Sequence, residues 1–343
     1  MNDLLRKLDA IRADPSAGTF ILADARDADM AWGIPSFGES RTKRTASGPA
    51  FRSVPEFCDE IRQVVQQGVV DILLASTSTM DVLAHKERLF DNSRVTPAVR
   101  INDTTDVWCQ RGARYHESPS APFASSFIEE VQFGSLTAPR EGAPVVNLGL
   151  YSMTFNNDFD ADLRMVKAFR EFRAYAERLG FSYFLEVLAP NVKDLGMRID
   201  DIPKFVNDSI ARSLAGVPAS GRPLFLKIPY FGPDSLEDLV AYDPSMVVGI
   251  LGGSSGTTYD AFKLIAEAQK HGARVALFGR KIKDAELPLA FIGLLRRITD
   301  RDVSPEEAVR IYHDDLQKAG ISPRRPLAED MSLTLSALSY ASA

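Results

Sequence analysis

The chain has 343 residues, 45% hydrophobic and 25% charged, with a formal net charge of −6. That length suits one large α/β domain or two ordinary ones, and the composition is that of a globular protein. The acidic balance leaves no basic footprint for nucleic acid, and no run approaches the roughly 20 apolar residues of a membrane span.

The first twelve residues, MNDLLRKLDAIR, lack the apolar core of a signal peptide and read as an amphipathic helix. Short apolar runs then alternate with segments of helical period. The expected strands are Thr19–Asp24, Val70–Ser76, Thr96–Asp103, Val145–Ser152, Tyr183–Ala189, Leu224–Tyr230, Val247–Gly253 and Val275–Lys281. The expected helices are Val54–Gln67, Thr79–Phe90, Asp158–Leu179, Ile202–Leu214, Thr258–His271 and Ala285–Thr299. Most strands are continuous apolar runs, as when both faces of a parallel sheet are covered. With no mid-chain linker, this pattern predicts an α/β protein: a single (β/α)8 (TIM) barrel over 1–343. Its strands would occupy about 19–281, flanked by an N-terminal helix in 1–18 and extra C-terminal helices in 283–343. The stretch Phe37–Ser53, with Arg41, Lys43 and Arg44, reads as a solvated loop or a lid over the barrel mouth. The apolar helix Ala285–Thr299 is a candidate homo-oligomer surface, although covering the barrel accounts for it.

Cys58 and Cys109 form neither a CxxC pair nor a framework, which predicts reduced thiols in a cytoplasmic protein. His85, His116, His271 and His313 are scattered without ligand spacing, so no metal or organic cofactor is expected.

Barrel enzymes place their chemistry at the C-terminal ends of strands. Lys227 is the lone charge in the run from Pro223 to Phe231, and Glu186 is the lone charge in Phe184–Leu188. A buried ammonium is costly unless it is paired or working. A buried amine that sheds its proton can attack a carbonyl and form a Schiff base. The fifth and sixth strands are neighbours in a barrel, so Glu186 and Lys227 can share one pocket as a proton-shuttling pair. A structural ion pair is the alternative. Asp24, Asn102, Asn147 and Tyr151 are further polar candidates at or in the first, third and fourth strands.

Gly252, Gly253, Ser254 and Ser255 follow the seventh strand and open a helix. Such a turn lets backbone N–H groups converge on an anion, with the helix dipole behind them. Gly279 and Arg280 end the eighth strand, and Arg280 supplies a bidentate clamp. Loops after strands seven and eight are the usual phosphate site of barrels. The GxxxxGK[ST] spacing of a P-loop is absent.

Asp24, Leu150-Tyr151, Phe184-Leu185-Glu186, Leu226-Lys227, the Gly253 turn and Gly279-Arg280 come in an order and spacing that resemble a known family. It is the class I aldolases of the deoxyribose-phosphate aldolase superfamily, with the tagatose-bisphosphate aldolase branch nearest. The resemblance is carried by residues 145–282. It implies that Lys227 is the Schiff-base lysine, Glu186 an acid/base partner and Asp24 a polar contact. It also implies that Gly253 with Gly279-Arg280 holds a phosphate. That branch carries a second lysine in the fourth strand, where Asn147 aligns here: either the register differs, or Tyr151 of this strand replaces it as the acid, or the reaction is another one. The expected activity is cleavage or formation of a C–C bond in a small phosphorylated ketose, giving a dihydroxyacetone-phosphate-like product. Two alternatives stand beside it. One is a lyase or acyl-transfer enzyme acting on a related keto-sugar phosphate or sulfo-sugar. The other is a silent barrel that binds a phosphosugar as a regulator.

Overall fold

The computed structural model describes residues 3–46, 48–253, 256–335 and 338, without the side chains of Arg41, Thr42 and Pro49. Eight parallel strands close into a barrel in chain order. They are β1 (Ile21–Arg26), β2 (Ile72–Ala75), β3 (Thr96–Arg100), β4 (Leu148–Thr154), β5 (Ser182–Leu188), β6 (Leu226–Ile228), β7 (Val248–Leu251) and β8 (Val275–Phe278). The sheet closes where Ile21 of β1 pairs with Val275 of β8. The (β/α)8 expectation holds. Six strands are shorter than the runs expected for them, because flanking apolar residues turn out of the ladder; β1 and β5 keep their expected lengths but start two residues later and one residue earlier. β6 is held to three residues between Pro223 and Pro229, neither of which has an N–H to donate.

The longer helices are α1 (Asp3–Ala13), α2 (Val54–Gln67), α3 (Phe159–Arg178), α4 (Ile202–Ala215), α5 (Pro233–Tyr242), α6 (Thr258–Lys270), α7 (Pro288–Thr299) and α8 (Pro305–Lys318). Each of α2, α6 and α8 starts with a reciprocal capping box, Ser53/Glu56, Thr257/Asp260 and Ser304/Glu307, which satisfies N–H groups that no helical carbonyl reaches. Between Thr77 and Lys86 the expected regular helix is instead one α turn followed by a π turn. α5 escaped the sequence reading, since its Leu236 and Leu239 alone carry little periodicity over ten residues.

Two apolar layers follow from strand alternation. Inward residues such as Ile21, Ala23, Leu74, Leu150, Phe184 and Phe225 fill the barrel, and Leu4, Leu8 and Ile11 of α1 seal its N-terminal end. Outward residues such as Leu22, Leu73, Tyr151, Leu185 and Ile228 pack under the helices. The stretch expected as a loop at 37–53 forms a hairpin of strands Glu39–Thr45 and Gly48–Phe51. It is polar throughout its first strand, so no period-2 signal marked it. Lys43 meets Glu56 at 3.0 Å there, while the Arg41 side chain lies outside the described residues. Among the described residues no helix is long and apolar enough to cross a membrane.

Candidate active site

Strand register assembles the site. Ser152 pairs with Glu186, and Glu186 with Lys227, so three inward side chains form one row across β4, β5 and β6. Lys227 Nζ lies 2.5 Å from Glu186 Oε1. The other carboxylate oxygen, Oε2, accepts from Ser152 Oγ at 2.7 Å and from Arg100 Nη2 at 3.2 Å. Arg100 Nη1 also donates to Ser152 Oγ at 2.7 Å, and its Nε to Asp27 Oδ2 at 2.6 Å. All five side chains are buried. Charges taken from water persist only when their partners are this well placed.

The carboxylates divide by surroundings. Burial pushes Glu186 upward, but Lys227, Arg100 and the Ser152 hydroxyl outweigh it and hold the group at about 2. Asp103 has only a 3.4 Å approach to Arg100 Nη1, and burial prevails, pushing it up to about 7. Burial alone would lower Arg100; Asp27, Glu186 and Asp103 reverse this and hold it above the usual arginine range.

Above this row lies a cavity of about 250 Å³, lined by Asp27, Arg100, Glu186, Lys227, Gly252, Gly253, Gly279 and Arg280, with Trp32, Asp106 and Cys109 at its walls. The glycines are steric necessities. A Cβ on Gly252 would meet the Phe278 ring at 2.2 Å, and one on Gly279 would meet Ala25 O at 2.6 Å. Gly253 has φ +62°, with open space where a side chain would stand. The Arg280 guanidinium lies 5.7 Å from the centre of the Trp32 ring. Ser254 and Ser255 fall outside the described residues. Among the described residues no group of three or more His, Cys, Asp or Glu side chains is placed to hold a metal ion.

Four expected site residues stand elsewhere. Asp24 faces outward, its two carboxylate oxygens sharing the one N–H of Arg26 Nε at 2.9 and 2.8 Å, and both side chains are fully buried. The pocket carboxylate of this strand end is Asp27, on the opposite parity. Tyr151 also faces outward, stacked on Phe172 at 4.2 Å, and burial raises its hydroxyl further from ionisation. Ser152 takes the inward place, because a one-residue step along a strand changes face. Asn147 precedes β4 at the N-terminal end, accepting from Gln132 Nε2 and donating to Gly180 O, far from the strand ends that carry the cavity. Asn102 is spent on backbone: its Nδ2 donates to Ser152 O at 2.9 Å and its Oδ1 accepts from Ser152 N at 2.6 Å. It fixes where Ser152 stands, and it does not line the cavity.

The anion reading also narrows. The first N–H groups of α6 are already taken: Thr257 N donates to Asp260 Oδ2 at 2.7 Å and Thr258 N to Asp330 Oδ1 at 2.8 Å. What remains for an anion is the Gly252–Gly253 turn, Gly279 and Arg280. Asp27, Arg100 and Ser152 were missed as site residues, though signals existed. Asp24 and Arg26, two apart, can neutralise each other on one face, which leaves Asp27 for the other. Arg100 is a lone cation closing an apolar strand.

No protein-family model and no curated protein matches the sequence. The fold does match solved structures. A fructose-bisphosphate aldolase from Slackia heliotrinireducens superposes with a TM-score of 0.64 at 14% identity, covering 92% of each chain. An archaeal fructose 1,6-bisphosphate aldolase gives 0.56 at 14% identity, over 86% of this chain and 99% of its own. An archaeal fructose-1,6-bisphosphate aldolase with its catalytic lysine covalently bound to the carbinolamine intermediate gives 0.57 at 15%, over 86% and 99%. At such identities the likeness is one of fold: this chain shares the barrel of Schiff-base aldolases.

Proposed function

We propose that the protein is a class I aldolase acting on a small phosphorylated ketose through a Schiff base on Lys227. The observation that carries this is the buried ammonium 2.5 Å from a carboxylate at a cavity floor on the C-terminal side of the barrel. The fold shared with Schiff-base aldolases supports it.

Glu186, held ionised, accepts a proton from Lys227, and the freed amine adds to the substrate carbonyl carbon to give a carbinolamine. Return of a proton to the carbinolamine oxygen expels water and leaves a protonated imine. The imine takes the electron pair of the neighbouring C–C bond as that bond breaks, while a carboxylate removes the proton of the hydroxyl that becomes the aldehyde. Glu186 and Asp27 are the carboxylates for this step, since Tyr151 faces the helices. Protonation of the enamine carbon and hydrolysis of the imine release a dihydroxyacetone-phosphate-like ketone and restore Lys227. Gly253, Gly279 and Arg280 hold the phosphate, with guanidinium geometry suited to two of its oxygens.

Borohydride reduction in the presence of dihydroxyacetone phosphate, read by intact-mass and peptide mass spectrometry, tests the reading. The expected result is an adduct on Lys227 that Lys227→Met lacks. An adduct on another lysine would keep the chemistry and remove the site. The closed Lys227–Glu186 ion pair favours one other reading, a silent phosphosugar binder. Phosphosugar binding with no adduct from any keto-sugar phosphate would establish that one instead.

A further inference from the structure

The N-terminal end of the barrel, opposite the catalytic cavity, carries a cleft of about 580 Å³. It lies where the end of α1, the C-terminal half of α3 and the entrances to β5, β6 and β7 meet, and it shares no lining residue with the catalytic cavity. This end of such a barrel ordinarily serves stability. Here its charge is lopsided. Arg12, Arg173 and Arg222 line the cleft, with Glu177 the single carboxylate among the described lining residues.

The arginines are not equally engaged. Arg222 Nη1 meets Asp243 at 2.5 Å, and Arg12 pairs through Nη1 with Asp9 at 3.6 Å while its Nη2 donates to Leu224 O at 2.9 Å. Arg173 lies over the ring of buried Phe169 at 5.2 Å, and among the described residues no carboxylate stands within ion-pair distance of it. Its Nε is shut off from solvent with no hydrogen-bond partner. The residue is otherwise half-buried and lines the cleft, so its guanidinium meets the open space with a ring, and no carboxylate, as its neighbour. The wall is shaped around it: a Cβ on Gly221 would come within 3.2 Å of Arg173 Nη1. Ser182, Ser220 and Ser245 add hydroxyls along the cleft.

We propose that this cleft is a binding site for a phosphorylated small molecule, whose phosphate takes Arg173 as its principal partner, with Arg12 and Arg222 flanking. Phosphate suits the site because its oxygens match the guanidinium fork and draw charge from several arginines at once. The Ser182 and Ser220 hydroxyls can donate to the same group, whereas Ser245 Oγ already donates to Asp243 at 2.6 Å. Because the cleft joins α1 to the barrel wall, an occupant ties the N-terminal plug to β6, and binding should raise the melting temperature. The site stands independently of the aldolase reading.

Calorimetric titration of inorganic phosphate into Arg280→Met protein, which lacks the guanidinium at the barrel mouth, tests the proposal. Binding should persist there, and adding Arg173→Met should weaken it about tenfold or more. Ser245→Asp, an exposed change that sets a carboxylate on the cleft wall, should weaken binding comparably. If Arg173→Met fails to fold, Ser245→Asp decides alone. Absence of binding to Arg280→Met protein at about 10 mM phosphate, or an affinity indifferent to the cleft substitutions, would overturn the site.

Discussion

Asp24 and Asp27 are three positions apart, chemically identical and placed in opposite environments. Asp24 neutralises Arg26 beneath α2, where Arg26 Nη1 also reaches Glu60 at 3.3 Å. Asp27 holds Arg100 at the cavity wall. Asp24→Asn should therefore cost about 3 kcal/mol of unfolding free energy by leaving a buried guanidinium short of its partner. It should leave kcat of the folded protein nearly unchanged. Asp27→Asn should cost about a hundredfold in kcat with a smaller loss of stability. Urea titration beside steady-state rates on a substrate the wild type cleaves would show both; a folded but inactive Asp24→Asn protein would return that carboxylate to the chemistry. The residue types at the candidate site were legible, since lone charges in apolar runs marked Lys227 and Glu186. Their neighbours were harder to see, because Tyr151 and Ser152 differ by one step, and a step reverses the face.

The elements that position the site are an ordered ladder and a plug. Register between β4, β5 and β6 sets Ser152, Glu186 and Lys227 in a row, and Asn102 pins the row by bridging β3 to the Ser152 backbone. The opposite end is closed by α1, whose Leu4, Leu8 and Ile11 join the inward strand residues. Leu8 is fully buried, so Leu8→Ala should destabilise by about 2–5 kcal/mol, through lost contact and the cavity left behind. Because α1 lies at the end away from Lys227, kcat at temperatures well below the melting point should not move. Chemical denaturation and rate measurements on the same preparation would check this. A parallel loss of kcat would mean that the plug controls strand positions at the far end.

Across the barrel, one guanidinium organises three carboxylates, and this coupling makes stability depend on pH in two windows. Glu186 is held at about 2, below its unfolded value near 4.3, so its contribution is present above that value and lost as pH falls toward 2. Asp103 is raised to about 7, above its unfolded value near 3.9. Between those limits the folded state binds the extra proton, so stability declines as pH rises from about 4 to about 7. Asp103→Asn removes the group that titrates. Its unfolding free energy should lack that decline, a difference of about 2–4 kcal/mol between pH 5 and pH 8 relative to wild type. Urea denaturation across this range would measure it, and parallel curves for the two proteins would refute the assignment.

Alternating apolar runs and helical periods were enough to specify an eight-stranded parallel barrel, because burial on both strand faces leaves its mark on composition. Two charges stranded in such runs, Glu186 and Lys227, marked the pair that the barrel brings together at the candidate site. Tertiary structure alone decided the rest. Which strand face turns inward depends on a register that no local pattern encodes, so Asp27, Ser152 and Arg100 entered the site while Asp24 and Tyr151 left it. Whether the N-terminus of α6 was free for an anion depended on Asp330, seventy-two residues away in the chain, whose carboxylate already accepts the Thr258 N–H. Contacts of that range exist only once the chain has closed on itself, and the arginine-lined cleft beneath the barrel, drawn from five separate segments, is another of them.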